Sequence, residues 1–373
     1  MDLSKIEVNK KTVKKSVCRV AGNDEIAEYY KLFAEEQNSD TLANKAEWVA
    51  QCYKFWDIDH YQKQSVKDIK RITLCKDRFC LNCQNNVAHK REVKYQNILD
   101  DLRKRYDIYH IVFTVPNCPA DELGLTLNRM YKTFAYFIRY FQGKKKCHNV
   151  DFVKFGFVGA VRGLEVTTKI LTNSYEFHPH FHTLFIFRKG LDKTKRHIND
   201  FSFNYGTKER KFSDNEILFQ KVWRLLYDGE RLTEKAIKDL KQGYSVTMDD
   251  TRKRENGTYN YHQVFKYALK GTFKKGSPIF NYEEFKCLYK SLYRRKMIQG
   301  YGVLNKFDFE DDVTDEQIDQ AYQEIISFLQ SVEMPQEQIM SLQDVVKEIK
   351  ENKQIKYISR NTVRRELRDN GND

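Results

Sequence analysis

Residues 177–187 read Phe-His-Pro-His-Phe-His-Thr-Leu-Phe-Ile-Phe, with a histidine at every second position from 178 to 182. Side chains two apart on a β-strand leave from the same face. His178, His180 and His182 therefore line one face, and Phe181, Phe185 and Phe187 feed the packing on the other. A single strand histidine is commonly a hydrogen-bonded core residue. Three in alternation, framed by aromatics, suit a bound metal or a phosphoryl group.

The chain has 373 residues, enough for two or three domains. Its 65 Lys and Arg against 52 Asp and Glu give +13, which favours a polyanionic partner such as nucleic acid over a neutral one. With 25 Phe and 23 Tyr among those cations, single-stranded nucleic acid is a suitable partner, because bases stack while phosphates meet Lys and Arg. The N-terminus reads as no secretory signal, and no apolar run approaches the ~18 residues of a membrane span. The expected location is the cytoplasm, where eight cysteines are thiols or metal ligands rather than disulfides.

Four segments are expected. Residues 1–50 read as an irregular, partly helical basic lead-in, and residues 51–105 as a cysteine-bearing module followed by a charged helix from 84. Residues 106–307 carry strands at 107–117, 159–167, 177–188 and 244–248. Helices are expected at 120–142, at 214–227 with Asp214 as N-cap, and at 258–271 with Gly271 as its stop. Residues 171–175 read as a hairpin turn. Strands mixed with helices and lacking a βαβ repeat imply an α+β core with a central antiparallel β-sheet flanked by helices. Residues 308–373 begin with an acidic linker and end in two helical stretches.

Cys75, Cys80 and Cys83 form C-x4-C-x2-C, with Cys52 upstream. Four thiolates would make a closed tetrahedral zinc site, structural rather than catalytic. Cys18, His60 and His89 are alternative fourth ligands, and three cysteines packing as small hydrophobes is the plain alternative. Cys18, Cys118, Cys147 and Cys287 stand alone and read as ordinary thiols. Near the C-terminus, Ser359 can cap a helix whose exposed face carries Arg360, Asn361, Arg364 and Arg368. With the stretch at 341–349 before it, this reads as a helix-turn-helix that would enter a duplex major groove, or as a plain charged helical hairpin.

Taken in order, the cysteine cluster with Arg78-Phe79, the strand ending Phe113-Thr114-Val115-Pro116-Asn117, the segment Arg162-Gly163-Leu164-Glu165-Val166-Thr167, His178-Pro179-His180-Phe181-His182 and Phe265-Lys266-Tyr267-Ala268-Leu269-Lys270 resemble the rolling-circle replication initiators of small plasmids. These belong to the HUH endonuclease superfamily, here of the single-tyrosine class, and the resemblance covers roughly residues 50–305. It implies that His180, His182 and Glu165 hold Mg²⁺ or Mn²⁺, and that Tyr267 is the nucleophile forming a 5′-phosphotyrosine. It places Lys270, which shares a helical face with Tyr267, beside the reaction. The class often has a glutamate four residues before the tyrosine, which activates water at termination. Here that residue is Gln263, and an amide is no general base near neutral pH. The partners implied are the double-stranded origin, a single-stranded nick site, and a host helicase and polymerase. Homo-oligomerisation is left open.

Three other functions fit parts of the pattern. A histidine-triad nucleotide hydrolase would use a histidine nucleophile and no metal, but leaves the cysteines and basic charge unused. A transposase or relaxase of the same superfamily would differ in tyrosine number or motif order. A non-enzymatic DNA-binding regulator explains charge and cysteines, yet gives the histidine strand no role.

Overall fold

The computed structural model describes residues 10–170, 175–190, 203–205, 208–251, 259, 261–265, 273–274, 277–278, 280–305, 315–352 and 354–369. Along the chain the elements are α1 (Lys10–Gln37), α2 (Asp40–Gln51), β1 (Phe55–Tyr61), β2 (Val66–Ile72), α3 (Leu81–Arg105), β3 (Tyr106–Thr114) and α4 (Leu123–Phe141). They continue as β4 (Phe157–Ile170), β5 (Tyr175–Arg188), β6 (Phe203–Tyr205), β7 (Lys208–Arg210), α5 (Asp214–Asp228), α6 (Glu234–Asp239), β8 (Val246–Asp250) and α7 (His262–Phe265). The last are β9 (Phe273–Lys274), β10 (Ser277–Pro278), α8 (Tyr282–Leu292), β11 (Ile298–Gly302), α9 (Asp315–Val332), β12 (Gln336–Ser341), α10 (Leu342–Glu351), β13 (Lys356–Ile358) and α11 (Arg360–Asp369). The fold is α+β, and the strand pairings are antiparallel except β2 with β13.

The compact units do not follow four consecutive segments. One comprises Met1–Val87, Phe273–Ile279 and Asp308–Asp373; the other comprises Ala88–Thr272 and Phe280–Phe307. In the first unit the expected irregular lead-in is the long helix α1. Ile26, Ala27, Tyr30, Phe33 and Ala34 are buried at helical spacing, an apolar stripe diluted by the charges around it. Ser39 then caps α2 by accepting from the Leu42 N–H.

The sheet of this unit runs β12-β1-β2-β13, so the C-terminal segment supplies both edge strands around a hairpin near the N-terminus. One face buries Trp56, Ile58 and Ile69 under Leu342, Val345 and Ile349 of α10. The other buries Tyr61, Val66 and Ile358 under Tyr322 and Leu329 of α9 and Val363 of α11. The expected helix-turn-helix is therefore corrected. Its two helices are separated by β13 and lie on opposite faces of one sheet, because Tyr357 and Ile358 alternate between those faces. Ser359 does cap α11, accepting from the Thr362 N–H.

Charged groups are buried where this segment docks. Lys67 Nζ meets Glu348 at 2.8 Å, and the Tyr322 hydroxyl donates to the Asp68 carboxylate at 2.7 Å. Burial pushes the Asp68 carboxyl up to about 6, against the opposing Tyr322 hydrogen bond. The folded chain thus keeps a proton that the unfolded chain releases at lower pH. Stability from this group is full below the ordinary aspartate value and is lost as pH rises toward 6, by about 3 kcal/mol. Asp68→Asn should remove that loss. After allowing for an imperfectly paired amide, it should stabilise the chain at pH 7.5 by about 1 kcal/mol. Urea unfolding of parent and variant across pH 4–7.5 checks this. Curves that stay parallel would contradict it.

The second unit is built on a five-stranded antiparallel sheet, β11-β4-β5-β3-β8. On one face α4 and α5 close an aromatic core. Phe134 and Phe137 of α4 sit edge-on to Phe113, and Trp223 of α5 is fully buried, its Nε1–H donating to the Thr114 carbonyl at 2.7 Å. The α4 stripe expected as core is core: Leu123, Leu127, Met130, Phe134, Phe137 and Ile138 are buried. The N-cap of α5 is Ser213 rather than Asp214. It forms a capping box with Glu216, whose buried carboxylate also pairs with Arg210 at 2.9 Å. The opposite face carries the histidines. The hairpin-turn residues 171–174 lie outside the described residues.

Candidate metal centres

Cys52 follows α2, Cys75 follows β2, and Cys80 and Cys83 open α3. The structure brings their four sulfurs within 4.8 Å of one another. Cys52–Cys83 and Cys75–Cys83 are 3.6 Å apart and Cys80–Cys52 is 3.4 Å. These separations exclude disulfides. They match the edge of a tetrahedron with Zn–S bonds of about 2.3 Å, which is about 3.8 Å. N–H donors point at the sulfurs as they would at thiolates: Lys76 N to Cys83 at 3.2 Å, Asp77 N to Cys75 at 3.5 Å and Asn23 Nδ2 to Cys80 at 3.1 Å. Lys76 takes a left-handed φ of 57° in the turn that aims its N–H. Hydrogen bonds from Cys52, Cys75 and Cys80, then the Lys76 N–H, hold the Cys83 thiol far below its ordinary value. The cluster fits a structural metal such as zinc. Helix α1 buttresses it: Asn23 also accepts from the Leu81 N–H, and the Tyr30 hydroxyl donates to Asp77 at 2.9 Å. His60 lies on β1, outside this sulfur group, and the side chains of Cys18 and His89 lie outside the described ones.

The second centre is on the sheet face opposite α4. Register pairs Glu165 on β4 with His180 on β5, and His182 with Gly163. His180 Nε2 and His182 Nε2 converge on one oxygen, Glu165 Oε2, at 3.1 and 2.5 Å. Both Nδ1 atoms are occupied elsewhere. His180 Nδ1 lies 3.2 Å from the His178 carbonyl, an arrangement that would turn an Nε2 lone pair toward a cation bound between the two histidines and Glu165. His182 Nδ1 meets His110 Nε2 at 3.0 Å, with the two rings parallel. Burial opposes ionisation of Glu165, but hydrogen bonds from His180 and His182 prevail and hold its carboxyl well below the usual range. Two imidazole nitrogens and a carboxylate oxygen, with their outer nitrogens hydrogen-bonded, suit a divalent cation such as Mn²⁺. His178 shares the face but not the cluster, and burial lowers its affinity for a proton. Sequence reasoning missed His110. It is a single histidine in an apolar strand, and only the β3–β5 register reveals its proximity to His182.

The backbone of α7 lies against the same face of the sheet. At Gly163, two residues before Glu165 on the same face, a Cβ would lie 2.1 Å from the Val264 carbonyl oxygen of α7. Only glycine admits so close a backbone approach. The other side of the segment is held by α3. Phe265 stacks on Tyr95 at 4.8 Å, the Tyr261 hydroxyl donates to Asp100 at 3.0 Å, and the Arg103 guanidinium lies 3.8 Å from the Tyr259 ring. Burial pushes the Tyr261 hydroxyl well above its ordinary value, and the Arg103 guanidinium covers the Tyr259 ring. Tyr267, Lys270 and Gly271 lie outside the described residues, and the helix expected over 258–271 is described at His262–Phe265. Gln263 lies in α7, and its side chain is outside the described ones.

On α11, Arg360 and Asn361 are exposed and Arg364 is half-buried. Arg360 pairs with Asp319 at 3.2 Å and lies over the Tyr322 ring. The Arg368 side chain is outside the described ones. No described helix is long and apolar enough to cross a membrane.

The family model described as Replication protein matches residues 66–352, a span holding His180, His182, Glu165 and three of the four clustered cysteines. The chain belongs to this family, that of the rolling-circle plasmid replication initiators. No curated protein and no solved structure matches it.

Proposed function

We propose that the chain starts plasmid replication by cutting one strand of its origin, with Tyr267 as the nucleophile. The observation that carries this is the convergence of His180, His182 and Glu165 directly beside Gly163, where the backbone of α7 sits. Tyr267 follows Phe265 by two residues, a reach of at most about 7 Å.

The Tyr267 oxygen attacks the phosphorus as its proton leaves. A tyrosyl–phosphate bond forms to the 5′ side and the bond to the 3′ oxygen breaks. That oxygen takes up a proton and becomes the primer hydroxyl for a host polymerase working behind a helicase. Mg²⁺ or Mn²⁺, held by the two Nε2 atoms and Glu165, would neutralise the phosphodiester charge and align it. Lys270 and Lys266 favour the tyrosinate and the developing charge. Reversal joins the strand. With Gln263 where a general base would stand, hydrolytic release is expected to be weak.

Duplex origin recognition is assigned to α11, through Arg360, Asn361, Arg364 and Arg368. Deleting residues 320–373 would remove both edge strands of a sheet, so this reading is tested by point substitution at Asn361 and Arg364, not by truncation.

Cleavage of a pool of single-stranded oligonucleotides tests the central reading. Products should appear with Mn²⁺, vanish with EDTA, and fall about 10²-fold or more in His180→Ala. Undiminished cleavage in EDTA by a His180→Ala, His182→Ala protein would sink it.

A further inference from the structure

The face of α4 turned away from the sheet carries a feature that the metal centre does not use. Arg129, Lys132 and Tyr136 recur at i, i+3 and i+7, one stripe about 10 Å long. Arg129 and Lys132 are exposed and Tyr136 is half-buried. This stripe forms one wall of a cavity of about 540 Å³, closed by Tyr227 and Arg231 at the end of α5 and by Lys145 beyond α4. The Lys145 ammonium lies 4.3 Å from the Tyr136 ring centre, and the Arg129 guanidinium 5.1 Å from that of Tyr227. Cations and aromatic faces therefore alternate along the groove.

Its basic loop is set in place by the backbone. Gly143 takes a φ of 71°, and the N–H groups of Lys144 and Lys145 both donate to the Arg139 carbonyl, at 2.9 and 3.1 Å. The backbone of the loop is thus ordered, and a base stacking on Tyr136 has only to move the Lys145 side chain from the ring toward a phosphate. Two carboxylates also line the cavity, Asp228 and Glu230, against four cations. Asp228 is already engaged, by the Tyr244 hydroxyl at 3.0 Å and Arg224 Nε at 3.4 Å. The remaining balance is positive.

We propose that this groove is a second nucleic-acid site, taking single-stranded DNA whose phosphates meet Lys132, Lys145, Arg129 and Arg231 and whose base stacks on Tyr136. The charge calls for a polyanion, and the concave aromatic wall calls for a base that is free to stack. Duplex bases are stacked on one another and cannot enter a cavity of this size. The groove lies on the α4 side of the sheet, and the histidines lie on the other. The strand bound here is thus a different segment from one seated at the metal centre, and the proposal stands whether or not that centre cuts DNA.

The test uses the full chain with an oligothymidylate carrying 5-iodouracil. Irradiation should crosslink Tyr136, in the parent and equally in His180→Ala. Lys132→Glu with Lys145→Glu should weaken binding by about tenfold or more and reduce the salt slope of log K by about 1.4, two phosphate contacts at about 0.7 each. Both side chains are exposed, so the melting temperature should hold. Should the reversal fail to fold, Lys132→Gln with Lys145→Gln carries the same prediction at smaller amplitude. No crosslink to Tyr136 together with unchanged affinity and slope would overturn the proposal. Equal competition by a duplex of the same length would also overturn it, in favour of duplex binding.

Discussion

Cys83→Ser should unfold the β1–β2 sheet of the first unit, and strong chelation of the unaltered chain should do the same. The Cys83 sulfur lies 3.6 Å from those of both Cys52 and Cys75, and it also receives the Lys76 N–H. In a site of this kind metal binding and folding are one equilibrium, with about 10–16 kcal/mol attached to the ion. A whole domain is usually stable by only about 5–15 kcal/mol. Losing the ion, as the loss of this thiolate should cause, therefore removes an amount comparable to the total. The buried Cys118 and Cys147 belong to no cluster among the described residues, and serine there should cost about 1–2 kcal/mol. Hydrogen exchange followed by mass spectrometry gives the readout. Peptides covering Phe55–Tyr61 and Val66–Ile72 should lose protection in Cys83→Ser and keep it in Cys147→Ser. Zinc content should fall from about one per chain to none. Full protection in a zinc-free Cys83→Ser protein would show that the four cysteines pack as small hydrophobes.

Gly163→Val should nearly abolish strand cutting while leaving the metal ligands in place. The atom that an added Cβ would strike is the Val264 carbonyl oxygen, 2.1 Å away. It is backbone and cannot rotate aside, so α7 must move by an ångström or more. Misplacing a reacting group by about 1 Å costs about 10²-fold in rate. His180, His182 and Glu165 reach one another through the β4–β5 register, which does not depend on α7. Cutting should fall about hundredfold while Mn²⁺ affinity measured by calorimetry stays within about twofold. Gly124→Ala, whose added Cβ would meet only Ser291 Oγ at 3.8 Å, is the control. Normal cutting by Gly163→Val would mean that α7 does not fix the nucleophile.

Sequence patterns with short periods were legible. The alternation at 177–187 gave β5 and the shared face of His180 and His182. The 3.6-residue stripe from Leu123 to Ile138 gave α4, and C-x2-C gave the knuckle. Long-range pairing was not legible. Nothing local in Gln336–Ser341 says that it pairs with Phe55–Tyr61, since that register rests on contacts between opposite ends of the chain. The helix-gap-helix pattern at 341–368 looked self-contained for the same reason. A strand as short as Lys356–Ile358 has too few residues to show alternation, yet it carries α10 and α11 to opposite faces. The cap of α5 falls at Ser213, one position before the expected Asp214, because both residue types cap well and only Ser213 has the reciprocal glutamate.

Attack of Tyr267 on a phosphodiester aligned at the His180–His182–Glu165 centre is the step on which the proposed function rests. The most direct measurement is peptide mass spectrometry of the chain after incubation with a single-stranded origin oligonucleotide and Mn²⁺. A 5′-phosphate adduct on Tyr267 is expected, absent with EDTA and absent in Tyr267→Phe. An adduct on Tyr259, on Tyr261 or on a histidine, or cleavage with no adduct at all, would contradict it.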